Sequence, residues 1–161
     1  MSAVVSIDQP QLRPMRKTDL TAVLEVEQAA YEFPWGLGIF RDCLRIGYDC
    51  FVYQMPHGLV GHGIMSVAVG ECHLLNICVH PDYQRRGFGR QLVEFLLVRA
   101  RSRSAVVALL EVRMRNTAAY KLYASMGFDE IGVRKDYYPA HAGREDAIIL
   151  ARDLTTDRLI R

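Results

Sequence analysis

Glu111 is the single charged side chain in the run AVVALLEV at residues 105–112. Burying a carboxylate without a partner is costly, so its presence there calls for a reason. Either it stands at the exposed end of a strand and pairs with Arg113 or another arginine, or it is a general base. In the second reading burial raises its pKa, and it takes a proton from an amine directly or through water. Tyr123 offers the complementary chemistry. A phenol titrates at about 10, so a tyrosine placed beside a departing group can give it a proton. Tyrosine at helical spacing is more often core than catalyst, and both readings stand. Tyr120 competes for the donor role. Cys78 is the alternative nucleophile, but no histidine is arranged in the sequence to activate it.

A third constellation lies in HPDYQRRGFGRQL, residues 80–92. Gly87 and Gly89 leave the backbone unobstructed where a loop turns into a helix. Unpaired N–H groups and the helix dipole converge there on any anion placed above them. Arg85, Arg86 and Arg90 add full positive charges at the same point, and a pyrophosphate is the natural guest. The loop lacks the third spaced glycine of a dinucleotide fingerprint and the Lys-Ser/Thr of a triphosphate loop.

The elements that must position these groups follow from pattern. QLRPMR at 11–16 reads as a short edge strand, because Pro14 has no N–H for a central ladder. Thr18 reads as the N-cap of a helix running to about Ala30, with Leu20, Val23, Leu24 and Val26 on its apolar side. YEFPWG breaks it, and a second amphipathic segment continues to about Ile46. Strands near 49–54 and 59–69 flank the turn MPHG, and HLLNICV forms a third. Phe88, Leu92, Phe95, Leu96 and the turn at Val98 give residues 88–103 a helical period. The run 105–112 reads as a strand buried on both faces. A short helix, Thr117 to Met126, ends at Gly127, with Asn116 as its N-cap. Two last strands fall at 128–137 and 145–152. The five histidines are scattered and read as surface or turn residues. Tyr31–Trp35 and Tyr137-Tyr138-Pro139 are candidate walls of a groove, with packing aromatics as the equal alternative.

The loop fits the pattern Q/R-x-x-G-x-G/A as Gln84-Arg85-Arg86-Gly87-Phe88-Gly89, and so resembles the coenzyme A pyrophosphate loop of the GNAT N-acetyltransferase superfamily. NICVHPDYQRRGFGR, LEVRMRNTAAYKLYASMGF and YYPAHAGREDAIIL together look like its RimI branch, the ribosomal-protein alanine N-acetyltransferases. The similarity covers roughly residues 11–152. Gly36, after Pro34-Trp35, departs from the serine more usual in that branch. The resemblance implies an α/β (α+β) GNAT fold, a mixed, mostly antiparallel twisted sheet flanked by helices. It implies acetyl-CoA as co-substrate, no metal, and an N-terminal alanine as acceptor, on the eighteenth small-subunit ribosomal protein. It makes Glu111 the proton acceptor and Tyr123 the proton donor. The backbone of Ile77, Cys78 and Val79 would pair with the pantetheine arm, and the Val79 N–H would polarise the thioester carbonyl. Arg85, Arg86, Gly87, Phe88, Gly89 and Arg90 would hold the pyrophosphate, and Asn116 would contact the cofactor besides capping its helix. An α-amine suits a single carboxylate base, since at pH 7 roughly one in seven is neutral, against one in 2,500 for lysine.

The chain has 161 residues, 50% hydrophobic and 24% charged. That reads as a single domain over 1–161 with flexible tails at 1–10 and 155–161, not as a disordered or disulfide-rich chain. No apolar run is long enough to span a membrane, and MSAVVSIDQP does not read as a secretory signal. Cys43, Cys50, Cys72 and Cys78 show no metal or redox spacing and point to a reducing cytoplasm. The net charge of +2 conceals a division: residues 1–83 carry 5 basic and 9 acidic side chains, and residues 84–116 carry 8 and 2. Such a field can draw an anionic ligand to one region and a cationic one to another. A basic protein N-terminus fits as partner, with no direct nucleic-acid or membrane binding expected. The rivals are an acetyltransferase for a small amine, such as a polyamine or drug, and a non-catalytic CoA-binding module. RNA binding by the arginine-rich middle is a third.

Overall fold

The computed structural model describes residues 11–156. Seven strands and four α-helices form a mixed α/β fold. The strands are β1 (Gln11–Pro14), β2 (Asp49–Met55), β3 (Gly58–Ala68), β4 (Glu71–Val79), β5 (Val107–Arg113), β6 (Asp129–Ala140) and β7 (Gly143–Asp153). The helices are α1 (Leu20–Ala30), α2 (Leu37–Ile46), α3 (Phe88–Ser102) and α4 (Thr117–Ser125). The strand order is β1-β2-β3-β4-β5-β7-β6. Pairs β1–β2, β5–β7 and β6–β7 are antiparallel, whereas β4–β5 is parallel. A parallel pair needs a long crossover, and α3 supplies it.

Two compact units divide the chain, Met1–Ile64 with Asn76–Val93, and Met65–Leu75 with Glu94–Arg161. The first buries Val23, Val26, Phe40, Val52, Val60 and Ile64. Proline is tolerated in β1 because that strand is an edge, paired with β2 alone. Thr18 is not the cap of α1: Lys17–Asp19 form a 3-10 turn first, and the helix starts at Leu20. The Asp19 carboxylate holds that turn, accepting from Arg16 N at 2.8 Å and from the Arg13 guanidinium at 2.8 Å. These contacts, the Arg13 hydrogen bond first, keep its carboxyl below the usual value.

The second unit buries Cys72, Leu74, Leu96, Leu97, Ala108, Leu110, Phe128 and Leu150. β5 is not buried on both faces. Ala108, Leu110 and Val112 are buried, while Val107, Leu109, Glu111 and Arg113 are half-buried, because the second face carries polar groups. The buried stripe of α3 is Leu92, Val93, Leu96, Leu97 and Ala100, leaving Val98 53% exposed. α4 begins where the Asn116 side chain accepts from Ala119 N at 3.2 Å and closes before Gly127, whose φ of +89° suits glycine. All four cysteines are free and buried.

Candidate active site

In the first unit the loop after β4 turns tightly. Pro81–Tyr83 form a 3-10 turn in which the His80 side chain accepts from Asp82 N. Arg85 and Gly87 then take left-handed backbone angles, φ +64° and +84°, immediately before α3 opens at Phe88. A side chain at Gly87 would meet nothing within 4 Å, so it is φ, not space, that asks for glycine there. Alternating left-handed residues ahead of a helix turn successive N–H groups to one side, and this is the cradle an oxyanion fits. Arg85, Arg86 and Arg90 are exposed beside it, with Arg86 lying 5.3 Å over the Tyr83 ring. The Phe88 ring is a packing group, 5.8 Å from Tyr53 and 6.2 Å from Tyr83.

Residues 77–79 close β4. His80 N donates to Val60 O, which turns the even-numbered backbone groups toward β3. By alternation the amides of Ile77 and Val79 face the other edge. Among the described residues the β4–β5 ladder covers only Glu71–Leu74 and Val107–Leu110, so it does not consume those amides. The carbonyls are engaged: Ile77 O accepts from the Tyr31 hydroxyl and Val79 O from Gln84 Nε2 at 2.9 Å. Cys78 is no nucleophile. It is buried, its Sγ lies 3.8 Å from Val26 O, and burial and then Glu27 push its thiol up. Glu27, His62 and Cys78 present potential ligand atoms within 4.8 Å of one another. The Glu27 carboxylate, however, already accepts from His62, Asn76 and the Trp35 amide, tying α1 to β3 and β4. His62 is therefore a buried partner of Glu27, not a surface histidine.

The second unit carries the proton-transfer candidates. Glu111 does not pair with an arginine. His73 Nε2 spans its carboxylate, 2.6 Å from Oε2 and 3.1 Å from Oε1, and the Tyr137 hydroxyl lies 3.4 Å from Oε1. Arg113 goes instead to Glu145 at 3.2 Å. Burial alone pushes the Glu111 carboxyl up, but His73, the charge of Arg134 and the Tyr137 hydroxyl outweigh it. The net direction is down, which corrects the expectation of a burial-raised base.

Tyr137 reaches Glu111 because β6 bulges. Arg134 pairs with Ala147 and Tyr138 with Glu145, so three residues on β6 oppose one on β7. Asp136 takes φ +52° there, its N–H donates to Asp146, and Arg144 binds the carbonyls of Asp136 and Tyr137. Tyr138 stacks edge-on to Tyr137 at 4.8 Å and lies under Arg113 at 4.4 Å.

Tyr123 is 9% exposed on α4 and packs against Phe128, ring centroids 5.8 Å apart. Burial pushes its phenol up to about 12, so it holds its proton throughout the neutral range. Tyr120 is committed elsewhere, donating to Glu130 at 3.2 Å. Nothing local in the sequence joins His73 or Tyr137 to Glu111. Period-2 alternation places His73 opposite Cys72 and Leu74, and Glu111 opposite Leu110, but only the register His73↔Leu109 makes them neighbours.

Residues 14–128 match the model of the acetyltransferase (GNAT) family. The sequence is 42% identical over 137 residues to the [ribosomal protein bS18]-alanine N-acetyltransferase of Escherichia coli K12, covering 85% of this chain and 93% of that one. The Salmonella typhimurium enzyme of the same name is 42% identical over 134 residues, 83% of this chain and 90% of the other. The crystal structure of the Escherichia coli ribosomal-protein-S18-alanine N-acetyltransferase superposes with a TM-score of 0.85 at 38% identity, over 92% of this chain and 96% of that one.

Proposed function

Because the chain belongs to the acetyltransferase (GNAT) family, we propose that it acetylates the N-terminal alanine of a ribosomal protein, bS18, by direct attack of the amine on acetyl-CoA. The observation that carries this reading is the 42% identity, across 85% of the chain, to enzymes named for that reaction. The acetyl group comes from acetyl-CoA, the family's acyl donor. The first unit supplies the groups that bind it: the amides of Ile77 and Val79 on the Cys78 segment, the left-handed loop at Arg85–Gly87, the helix start at Phe88 and Gly89, and Arg90. Asn116 caps α4 and is, by the family resemblance, a further cofactor contact.

The second unit manages the protons. Glu111 is the base that takes the proton of the attacking amine, directly or through water, and its neighbours favour its anion. Tyr123 gives its proton to the departing sulfur, which leaves as a thiol instead of a thiolate. The proposal treats 1–161 as one acetyltransferase domain acting in the cytoplasm on a basic polypeptide, without nucleic acid, membrane or metal. Among the described residues no helix is long and apolar enough to cross a membrane.

The test is a substrate panel with purified protein and acetyl-CoA: a basic peptide starting with alanine, the same peptide Nα-blocked, and free polyamines. Mass spectrometry is expected to find one acetyl on the α-amine of the first peptide alone. Acetylation of the blocked peptide or of the polyamines in preference to it would overturn the substrate assignment. Binding of acetyl-CoA without any transfer would make the chain a CoA-binding module.

A further inference from the structure

We propose that Glu27 and Tyr31 are positioning residues: they pin loop 31–36 against the open edge of β4 and so fix a wall that the incoming acceptor meets. The inference rests on the acetyl-transfer reading above and names the groups that hold its acceptor side in place.

Glu27 lies in the last turn of α1 and is 1% exposed. A buried carboxylate is tolerated only where donors converge on it, and here they come from three separate segments. His62 Nε2 on β3 lies 3.0 Å from Oε1, and Asn76 Nδ2 on β4 donates to both oxygens, at 3.1 and 3.3 Å. The third donor is the backbone amide of Trp35, 3.0 Å from Oε2. The Trp35 ring lies 5.4 Å from Phe40, and Phe40 meets His62 edge-on at 5.4 Å, which closes the circuit back to Glu27. Hydrogen bonds to a charged, desolvated acceptor are among the stronger ones, so the loop is held firmly at Trp35.

Tyr31 holds the other end. Its hydroxyl donates to Ile77 O. The N–H and C=O of one strand residue share an edge, so this hydroxyl sits at the edge of β4 that the described β4–β5 ladder leaves uncovered past Leu74. The amides of that edge are those read above as coenzyme contacts, and the left-handed cradle at Arg85–Gly87 follows its Val79 end. A coenzyme anchored by its phosphates at that cradle brings its acyl end to 77–79, and loop 31–36 borders the space beyond. A wall fixed at both ends before the acceptor arrives spares the ordering cost at binding.

The test is steady-state acetylation of an alanine-starting peptide by wild type, Tyr31→Phe and Glu27→Leu. Thermal midpoints are measured beside it, with acrylamide quenching of Trp35, the sole tryptophan of the chain. Tyr31→Phe keeps the ring and loses only the hydroxyl. Its KM for the peptide is expected to rise about threefold, with kcat and the KM for acetyl-CoA within about twofold of wild type. Glu27→Leu is expected to raise the peptide KM about tenfold and to leave Trp35 more open to the quencher. A wild-type peptide KM in Tyr31→Phe overturns the proposal, and that variant decides alone if Glu27→Leu does not fold. So does a folded Glu27→Leu protein with a lowered midpoint but unchanged peptide KM and quenching, since a purely structural carboxylate behaves in that way. Wild-type protein that transfers no acetyl group overturns the acetyl-transfer reading itself, whereas unchanged variants of an active wild type overturn this inference alone.

Discussion

The proposed proton acceptor and donor, Glu111 and Tyr123, ask different things of their surroundings and receive them by different means. Tyr123 needs only a phenol that stays protonated, and burial provides it, with the pKa pushed up to about 12. In Tyr123→Phe the ring still packs on Phe128 and only the hydroxyl is lost. The single-turnover rate is expected to drop on the order of 100-fold while the thermal midpoint holds. Glu111 works as an anion. Its folded pKa lies below the ordinary 4.5, so its neighbours' contribution to stability is complete above that value and drains away as the pH falls through the lowered one. Urea midpoints measured from neutral down into the acid range should therefore fall less steeply for Glu111→Gln than for wild type. An identical slope in the two proteins would show that these contacts do not favour the anion. Both residues stood out in the sequence, Glu111 as a charge in an apolar run and Tyr123 through the family pattern. The partners of Glu111 did not, because nothing local to His73 or Tyr137 names a carboxylate.

At the scale of elements, two glycines separate space from conformation. A Cβ on Gly61 would fall 2.8 Å from the Cys78 carbonyl oxygen, so Gly61→Ala must push β3 away from β4. It should cost about 1–3 kcal/mol in chemical denaturation. Gly87→Ala meets open space and pays only for its left-handed φ, about 1 kcal/mol, but the loop backbone shifts and the KM for acetyl-CoA should rise with kcat little changed. A Gly61 variant as stable as wild type, or a Gly87 variant with wild-type KM, would contradict these assignments. The strands and helices were legible to within a few residues because period and capping are local signals. Thr18 misled because a 3-10 turn, held by Arg13 from β1, precedes α1. Strand register was not legible: the pairing of His73 with Leu109 depends on which strands meet, and that is a long-range outcome.

Across the whole molecule the charge is divided, and the division follows the proposed tasks. The segment 84–116 carries eight arginines against two glutamates and contains the loop read as the pyrophosphate cradle. Exposed arginines act through solvent and are screened by salt. Raising the ionic strength from about 0.05 to 0.3 M should increase the KM for acetyl-CoA several-fold and leave single-turnover rates at saturation nearly unchanged. A salt-insensitive KM would detach the arginines from the coenzyme. Composition located this segment without any structure, since net charge by window is a property of the sequence. It could not say that Arg113 spends its charge on Glu145 instead of a ligand.

The bulge in β6 makes the surroundings of Glu111 depend on chain length as well as on chemistry. Three residues, Lys135 to Tyr137, occupy the span of one on β7, and the Tyr137 hydroxyl reaches the carboxylate through that excess. Removing a single residue there would reverse the facing of everything between Arg134 and Tyr138 while leaving each side chain chemically intact. Short deletions and insertions in this hairpin are therefore a route by which a lineage can retune the surroundings of Glu111 without altering that residue or Tyr137.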